Sequence, residues 1–242
     1  MKKRRQVLLC GALIATSEKI RQGALLIEGE RIGRIWYADG HGLTEHNGEA
    51  VSLEALAEKL KSENAELETV SLDGKVIMAG GIDAHVHFRE PGMTAKADMS
   101  TESRAALLGG ITSYIDMPNT NPPATSIDRI REKAALADGR SYANWSFHIG
   151  ADNENPDAIA SMLKVNAASR EFAAVKVFMG SSTGNMLVDH GEALEKLFSI
   201  ENARILIHSE DEATIKANLE KAVEKFGDDI PMKEHENIRS RQ

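Results

Sequence analysis

The sequence predicts a parallel α/β fold preceded by a β-rich segment, and two observations support this prediction. From Val76 onward, short apolar runs typical of buried strands alternate with longer stretches of helical periodicity. About five such strand–helix units follow one another, without an internal repeat or a low-complexity tract. Because strict alternation of strand and helix places each helix in a crossover between parallel strands, we expect a parallel sheet.

The N-terminal segment predicts a small β-rich domain with a helical insertion. Residues 7–37 have the pattern of short strands, separated by turn-forming residues at Gly23 and at 28–30. Residues 38–50 are polar and contain glycine and histidine, which favours a loop. Apolar residues at helical spacing predict a surface helix over 53–64.

Each later strand and helix is predicted from its own apolar pattern. The strands are predicted at 82–88, 111–117, 145–150, 173–179 and 205–208. The helices are predicted at 96–108, 126–136, 157–169, 191–200 and 211–226. We therefore expect two domains, a β-rich one at 1–75 and an α/β one at 76–242.

The composition is that of an ordinary globular protein. Hydrophobic residues make up 42% and charged residues 27% of the 242 residues, and the net charge is −8 with a sequence pI of about 5.5. This balance argues against intrinsic disorder, and the acidic pI disfavours nucleic acid or an anionic membrane as a partner. The single cysteine, Cys10, excludes an intrachain disulfide and suits a reducing compartment.

A basic N-terminus precedes an apolar run, as it does in a secretory signal peptide. Here the basic residues at 2–5 are followed by the run 7–15, which Gly11 interrupts, and no small-residue cleavage site follows. The apolar pattern continues at 24–27 and 32–36, which is typical of a small sheet. We therefore expect a cytoplasmic protein, without the ~20 apolar residues that a membrane helix needs.

The first candidate for chemistry is the pair His85 and His87 in the strand predicted at 82–88. Alternate residues of a strand face the same side, roughly 6.6–7 Å apart, so both imidazoles can reach one metal ion. A lone His-x-His pair occurs often by chance. This pair lies at the C-terminal end of a strand, where parallel α/β folds carry their sites, and therefore predicts metal ligands.

Two further residues extend this candidate site. Lys176 is centred in the apolar strand 173–179, where burial lowers the pKa of a lysine unless a carboxylate pairs with it; such a structural pair is the alternative interpretation. His208 ends the strand 205–208, at a position equivalent to that of the histidine pair. The acids at 210–212 are interpreted as first-turn residues that complement the N-terminus of the next helix.

Three other features are less specific indicators of a functional site. The segment 116–123 is rich in proline and predicts a rigid loop that holds Asn119 in place, with a plain turn as the alternative. His148 ends the third strand, and packing is favoured over a role in a site. The segment 180–185 resembles a phosphate-binding loop but lacks the lysine and the helix of a P-loop.

Together, four stretches resemble the cyclic amidohydrolases, and among them the dihydroorotases. They occur in the order of the family, at 81–92, 116–120, 176–182 and 208–212. The combination is far more specific than any one motif, and the N-terminal strands look like the β-domain that accompanies the family's barrel. The resemblance covers residues 76–242.

The resemblance implies a (β/α)₈ barrel with two zinc ions at its mouth. His85 and His87 would bind one zinc ion, Lys176 as a carbamate would bridge both, and His208 would bind the second. A hydroxide between the ions would attack the ring amide of dihydroorotate. The reverse direction closes N-carbamoyl-L-aspartate to L-dihydroorotate in pyrimidine biosynthesis.

The resemblance also implies how the substrate is bound. Arg89 and Asn119 match the family positions that bind the substrate carboxylate, and arginine suits bidentate recognition of that group. The implied partners are this small molecule and further copies of the chain in a homo-oligomer, with a dimer as one form. Nucleic acid and membrane are not expected as partners.

A complete site of this kind needs another zinc-binding histidine from a sixth strand and an aspartate from an eighth, the latter as proton shuttle. The sequence reaches Gln242 before either, and roughly 167 residues from 76 onward fall short of the ~250 that a barrel typically takes. We therefore expect an incomplete enzyme that is inactive alone, with its catalytic aspartate beyond Gln242.

Two alternatives stay open at this point. A hydantoinase or allantoinase would share the metal ligands but would not need Arg89. A non-catalytic dihydroorotase-like chain would serve as a structural subunit of another enzyme; the presence of all four expected ligands argues against it. A mononuclear deaminase is disfavoured because it has no use for a carbamate on Lys176.

Overall fold

The computed structural model of the chain describes residues 5–39, 42–44, 50–180 and 186–239. The chain divides into two compact units, Met1–Ala79 and Gly80–Gln242. Most of the segment interpreted as a phosphate-binding loop, residues 181–185, lies outside the described residues. Among the described helices, none has the length and apolar content needed to cross a lipid bilayer.

The first unit is built on a seven-stranded sheet. Its strands are β1 Gln6–Ala15, β2 Ile20–Glu28, β3 Arg31–Asp39, β4 Gly42–Thr44, β5 Ala50–Val51, β6 Glu68–Ser71 and β7 Val76–Ile77, with the helix α1 Leu53–Glu63 between β5 and β6. The strand order is β5-β4-β3-β2-β1-β6, and β7 also pairs with β1. The β-rich character of this segment and the helix predicted at 53–64 are thereby confirmed.

Two details of the first unit differ from the sequence-based expectation. Gly23 lies inside β2 and does not end a strand, because β3 passes so close that a Cβ at this position would meet the carbonyl oxygen of Trp36 at 2.2 Å. Part of the loop expected at 38–50 forms the short strands β4 and β5, which extend the antiparallel sheet from β3.

The second unit consists of parallel strands that alternate with helices. The strands are β8 Gly81–Val86, β9 Ile111–Asp116, β10 Asn144–Phe147, β11 Ile149–Gly150, β12 Val175–Phe178 and β13 Ile205–His208. The helices are α2 Met99–Leu108, α3 Ile127–Ala137, α4 Pro156–Ser169, α5 Gly191–Phe198, α6 Glu212–Phe226 and α7 His235–Ile238, the last preceded by the 3₁₀ turn Met232–Glu234. The alternation predicted from the sequence is confirmed.

The strand predicted at 145–150 is split in two. β10 pairs with β9 and β11 pairs with β12, so the described strands form two three-stranded parallel sheets, β10-β9-β8 and β11-β12-β13. His148 lies at the break, where its backbone N–H donates to Asp116, while the next N–H, from Ile149, donates to Ala174. The chain therefore changes its hydrogen-bonding neighbour at His148.

The core of the second unit lies between the strands and the helices. Phe147, Ile149, Val175 and Val177 are buried in this core. Because successive residues of a strand point to opposite faces, Lys176 lies on the other face of its strand from Val175 and Val177. The apolar neighbours of Lys176 in β12 thus place its side chain on the face away from the helices.

Candidate metal centre

His85 and His87 lie at the C-terminal end of β8, as the sequence predicts. His85 is the penultimate residue of the strand and His87 follows its last residue, Val86. The two ring centroids are 5.4 Å apart and the ring planes are tilted by 54°. The Asp83 carboxylate accepts a hydrogen bond from the backbone N–H of His85 and so braces this end of the strand.

The ring of His87 is oriented by Asn119. Nδ1 of His87 lies 2.8 Å from Oδ1 of Asn119, and because an amide oxygen only accepts, Nδ1 carries the proton. Burial lowers the pKa of His87, and the hydrogen bond that its Nδ1–H donates to Asn119 acts against this effect. The neutral ring therefore keeps the lone pair of Nε2, the form in which histidine binds a metal ion.

A buried ion pair anchors the strand ends that carry these residues. Oδ2 of Asp116 lies 2.6 Å from Nζ of Lys133, and its Oδ1 accepts from the backbone N–H of Phe88 at 2.9 Å. Lys133 also donates to the carbonyl of Met117 at 2.9 Å. Since Phe88 follows His87 directly, this pair fixes the backbone immediately after the second histidine.

The loop after β8 carries Arg89 and is bound at several points. Arg89 has a φ of +65°, which turns the chain out of the strand direction. The buried carboxylate of Glu90 accepts from the backbone N–H of Met99 at 2.9 Å, which ties the loop to the start of α2. Gly92 has a φ of +82° and a Cβ there would meet the carbonyl oxygen of Asn121 at 1.9 Å, so glycine permits close contact with the loop after β9.

Lys176 is completely buried in β12, and its surroundings differ from those of Lys133. Its exposed fraction is 0%, and its Nζ lies 4.7 Å from the ring centroid of Phe178. Within the described residues, no carboxylate forms an ion pair with this amine. Burial lowers the pKa of Lys176. The pairing with a carboxylate that the sequence left as an alternative is not found there.

His208 ends β13, and Glu210 holds its ring. In the parallel register His208 lies opposite Phe178 of β12, and its Nε2 is 2.8 Å from Oε2 of Glu210. The other carboxylate oxygen of Glu210 accepts from the guanidinium of Arg239, which lowers the pKa of Glu210. The first-turn interpretation of Glu210 is wrong, because α6 begins at Glu212 behind its cap Asp211, and Glu210 instead orients His208.

Electrostatic contacts relate three of the predicted site residues. Burial lowers the pKa of His85, and the positive charge of Lys176 and the proximity of His208 add to this effect. Burial also lowers the pKa of His148, to which Lys176 and His85 contribute. The face that carries Lys176 therefore also brings together His85, His148 and His208, from the first, third and fifth strand–helix units.

These residues have the donor chemistry of a zinc site but form only part of one. Imidazole nitrogens are ordinary zinc ligands, and the contacts of His87 and His208 to Asn119 and Glu210 match the outer hydrogen bonds that orient ligating histidines. In the described part of the chain, no group of three His, Cys, Asp or Glu side chains is arranged to hold a metal ion. A metal site at these residues therefore needs Lys176 as a further ligand.

Sequence reasoning missed two residues of this region. Glu210 was assigned to the helix, and only its distance to His208 shows its role. His148 was assigned to packing, although a histidine between the core residues Phe147 and Ile149 points to the face of Lys176, and that alternation was visible in the sequence.

Comparison with known proteins by sequence finds dihydroorotases among the relatives of this chain. The chain is 34% identical over 166 residues to the dihydroorotase of Halobacterium salinarum, covering 63% of this chain and 37% of that protein. It is 35% identical over 145 residues to the dihydroorotase of Methanosarcina acetivorans, covering 59% and 30%, and 28% identical over 210 residues to that of Thermococcus kodakarensis, covering 86% and 44%. The chain spans less than half the length of these relatives.

Solved structures match the fold. The L-hydantoinase (dihydropyrimidinase) of Arthrobacter aurescens aligns with a TM-score of 0.75 at 22% identity, covering 97% of this chain and 47% of that one. The dihydropyrimidinase of Brevibacillus agri aligns with a TM-score of 0.72 at 21% identity, covering 97% and 46%. The family model described as "Amidohydrolase family" matches residues 76–237. The chain therefore belongs to the amidohydrolase family.

Proposed function

We propose that the chain supplies part of a metal-dependent site that opens and closes a cyclic amide, in the manner of a dihydroorotase. The observation that carries this proposal is Lys176, a fully buried lysine without a carboxylate partner among the described residues, near His85 and His148. Burial without a counter-charge favours the neutral amine. A neutral amine adds to carbon dioxide to give a carbamate and one proton, and this product is an anionic oxygen ligand.

His85, His87, the carbamate of Lys176 and His208 would hold the metal. Zinc bound there would lower the pKa of a water molecule and polarise the substrate carbonyl. The chain's own residues would orient the ligands, since Asn119 holds the Nδ1–H of His87 and Glu210 holds Nε2 of His208. The second contact leaves Nδ1 of His208 as the nitrogen available for coordination.

Arg89 would select the substrate. Dihydroorotate carries a carboxylate that an unsubstituted hydantoin lacks, and a guanidinium can bind that group through two parallel hydrogen bonds. Arg89 is close enough to His87 to lower its pKa, and Asn119 contacts the same histidine. The two residues proposed to bind the carboxylate are thus placed beside one of the proposed metal ligands.

Water is the only co-reactant that the proposed reaction needs. In the opening direction the bond between the ring carbonyl carbon and the ring nitrogen breaks, hydroxide adds to the carbon and a proton is transferred to the nitrogen, which gives N-carbamoyl-aspartate. In the closing direction the same water is released. We propose the closing direction as the biosynthetic one, in the formation of pyrimidines.

The test is a substrate comparison on the protein that contains this chain, loaded with zinc. We expect turnover of dihydroorotate and N-carbamoyl-aspartate that exceeds turnover of hydantoin and allantoin. Arg89→Ala should lower kcat/KM for dihydroorotate by about 100-fold, roughly the value of one lost charge-assisted bidentate contact. The exposed Arg104→Ala on α2 is the matched control and should change nothing.

Two outcomes would overturn the proposal. Faster turnover of hydantoin, unchanged by Arg89→Ala, would assign the chain to the hydantoinase type, whose fold it shares. Absence of turnover on all four compounds together with absence of bound zinc would indicate a non-catalytic subunit. Because the described residues lack a group of three ordinary metal-binding side chains, we expect residues 1–242 alone to be inactive.

A further inference from the structure

The strand that carries His85 contains a bulge at that residue. In the pairing of β8 with β9, Asp83 lies opposite Tyr114 and Val86 lies opposite Asp116. Three steps along β8 therefore correspond to two along β9, so one extra residue is accommodated between them, at Ala84 and His85. A bulge interrupts the regular hydrogen bonds of a sheet and changes the direction in which a side chain points.

The carbonyl of Ala84 within this bulge is bound by His148. Nε2 of His148 lies 2.9 Å from that oxygen, across 64 positions of sequence. The contact joins the break between β10 and β11 to β8, although β9 lies between β10 and β8 in the sheet. Because a carbonyl only accepts, Nε2 carries the proton and Nδ1 keeps its lone pair.

This arrangement is costly if His148 serves packing alone. His148 is 2% exposed, and its Nδ1 is buried without a hydrogen-bond partner within the described residues. A leucine at this position would fill a similar volume without an unsatisfied nitrogen. The hydrogen bond to Ala84 is an interaction of the ring that a leucine could not make.

We propose that His148 is a positioning residue that holds the bulge of β8 and thereby sets the direction of the His85 side chain. The proposal rests on the proposed function only in giving His85 the role of a metal ligand. The position of His85 can be measured without metal, so the two proposals can fail separately. His148 itself is not expected to touch metal or substrate.

The first test measures the wild-type protein after metal has been removed with a chelator. We expect the nitrogen spectrum of the imidazoles to show His148 as the tautomer protonated at Nε2. Protonation at Nδ1 would remove the hydrogen bond to Ala84 and would overturn the proposal. This result does not depend on whether any variant folds.

The second test compares His148→Leu with His148→Gln, whose side-chain amide can donate to the same carbonyl. Asn166→Leu is the control, because Asn166 also donates from a side-chain nitrogen to a carbonyl at 2.9 Å, that of Phe172 near α4. We expect His148→Leu, but neither of the others, to shift the backbone amide resonance of His85. An unshifted His85 resonance in His148→Leu would overturn the proposal.

The third test uses Co²⁺ alone as the probe, titrated into the chelated protein that contains this chain. His148→Leu should weaken Co²⁺ binding about 10-fold or more and alter its visible spectrum, because His85 would no longer be held in its direction. His148→Gln should stay within about threefold of wild type. Equal weakening by Asn166→Leu would show a general loss of stability and would overturn the proposal. Absence of Co²⁺ binding in wild type would refute the proposed function, while the His85 resonance would still decide the role of His148.

Discussion

Lys133 and Lys176 are both buried in the second unit, Lys133 on α3 and Lys176 on β12. Lys133 meets the carboxylate of Asp116 at 2.6 Å, whereas Lys176 has the ring of Phe178 beside it and no ion-pair partner within the described residues. Burial lowers the pKa of both amines, but for Lys133 the charge of Asp116 acts against it. The first lysine therefore has a structural role, and the second has the properties of a reactive group.

The structural role of Lys133 predicts a large effect of Lys133→Met. The change leaves Asp116 buried without its counter-charge, and we expect the free energy of unfolding to fall by about 3–5 kcal/mol in urea denaturation. The double variant Lys133→Met, Asp116→Asn should recover part of this loss, because the asparagine is neutral and its oxygen can still accept from Phe88. A double variant as unstable as the single one would show that the charge is not the cause.

Replacing Lys176 by methionine should have the opposite effect on the free energy of unfolding. Lys176→Met removes a desolvated amine that lacks a counter-charge, and we expect the free energy of unfolding to rise by about 1 kcal/mol. The measurement is made on metal-free protein without bicarbonate, so that neither metal nor carbamate contributes. A loss comparable to that of Lys133→Met would reveal a partner for Lys176.

Mass spectrometry with and without bicarbonate then reports whether wild type gains one carbon dioxide.

Among the elements, the loops after β8 and β9 are fixed mainly by contacts to their own helices and to each other. The start of α2 is the clearest example. The helix begins at Met99, three residues after the start that the sequence predicts. The Asp98 carboxylate accepts from the backbone N–H groups of Ser100 and Thr101, and the Thr101 hydroxyl accepts in return from the Asp98 N–H. This capping box ends the loop that carries Arg89.

The cap predicts a pH dependence. Backbone hydrogen bonding from Thr101 lowers the pKa of Asp98 from its ordinary 3.8, so the ionised form stabilises the folded state. Because the folded pKa lies below the unfolded one, this contribution is complete above the unfolded pKa and is lost as the pH falls through the folded pKa. Asp98→Ala should therefore be less stable than wild type near neutral pH, and the difference should shrink as the pH falls below 3.8.

The control for this prediction is Asp98→Ser, whose hydroxyl can cap the helix but does not titrate in this range. Its stability relative to Asp98→Ala should stay nearly constant with pH in thermal unfolding. A constant difference between wild type and Asp98→Ala across the same range would contradict the role of the ionised carboxylate.

In the second unit, the outer edges of β8 and β13 lack a partner within the described residues. β8 pairs only with β9, and β13 pairs only with β12. Ile82 on β8 is 71% exposed, and Ile207 on β13 is also exposed. Open strand edges with exposed apolar residues are ready templates for pairing with another chain.

We therefore expect a polypeptide of residues 1–242 to associate in a concentration-dependent manner, measured by light scattering. Ile82→Lys should reduce this association, because a charge at an edge opposes pairing. Leu13→Lys is the control, since Leu13 is 45% exposed but is paired on both sides, with Gln22 of β2 and with Val76 of β7. Equal effects of both substitutions would indicate that general surface hydrophobicity, and not the strand edge, drives association.

Most secondary structure could be predicted because its causes are local. Apolar periodicity places the second unit's strands and helices within a few residues of where the structure has them, and His85, His87 and His208 fall at strand ends as expected. The split of the third strand at His148 could not be predicted, because it depends on which neighbouring strand accepts each backbone N–H.

The order of strands and helices and the residue types available for chemistry follow from the sequence, since both depend on nearest neighbours and on side-chain identity. Packing between distant segments, by contrast, establishes which buried lysine is paired, that Glu210 holds His208, and that His148 binds the bulge beside His85. The contacts of Lys133 and His148 join residues 17 and 64 positions apart. No local pattern encodes such distances, because they arise only when separate strand–helix units pack together.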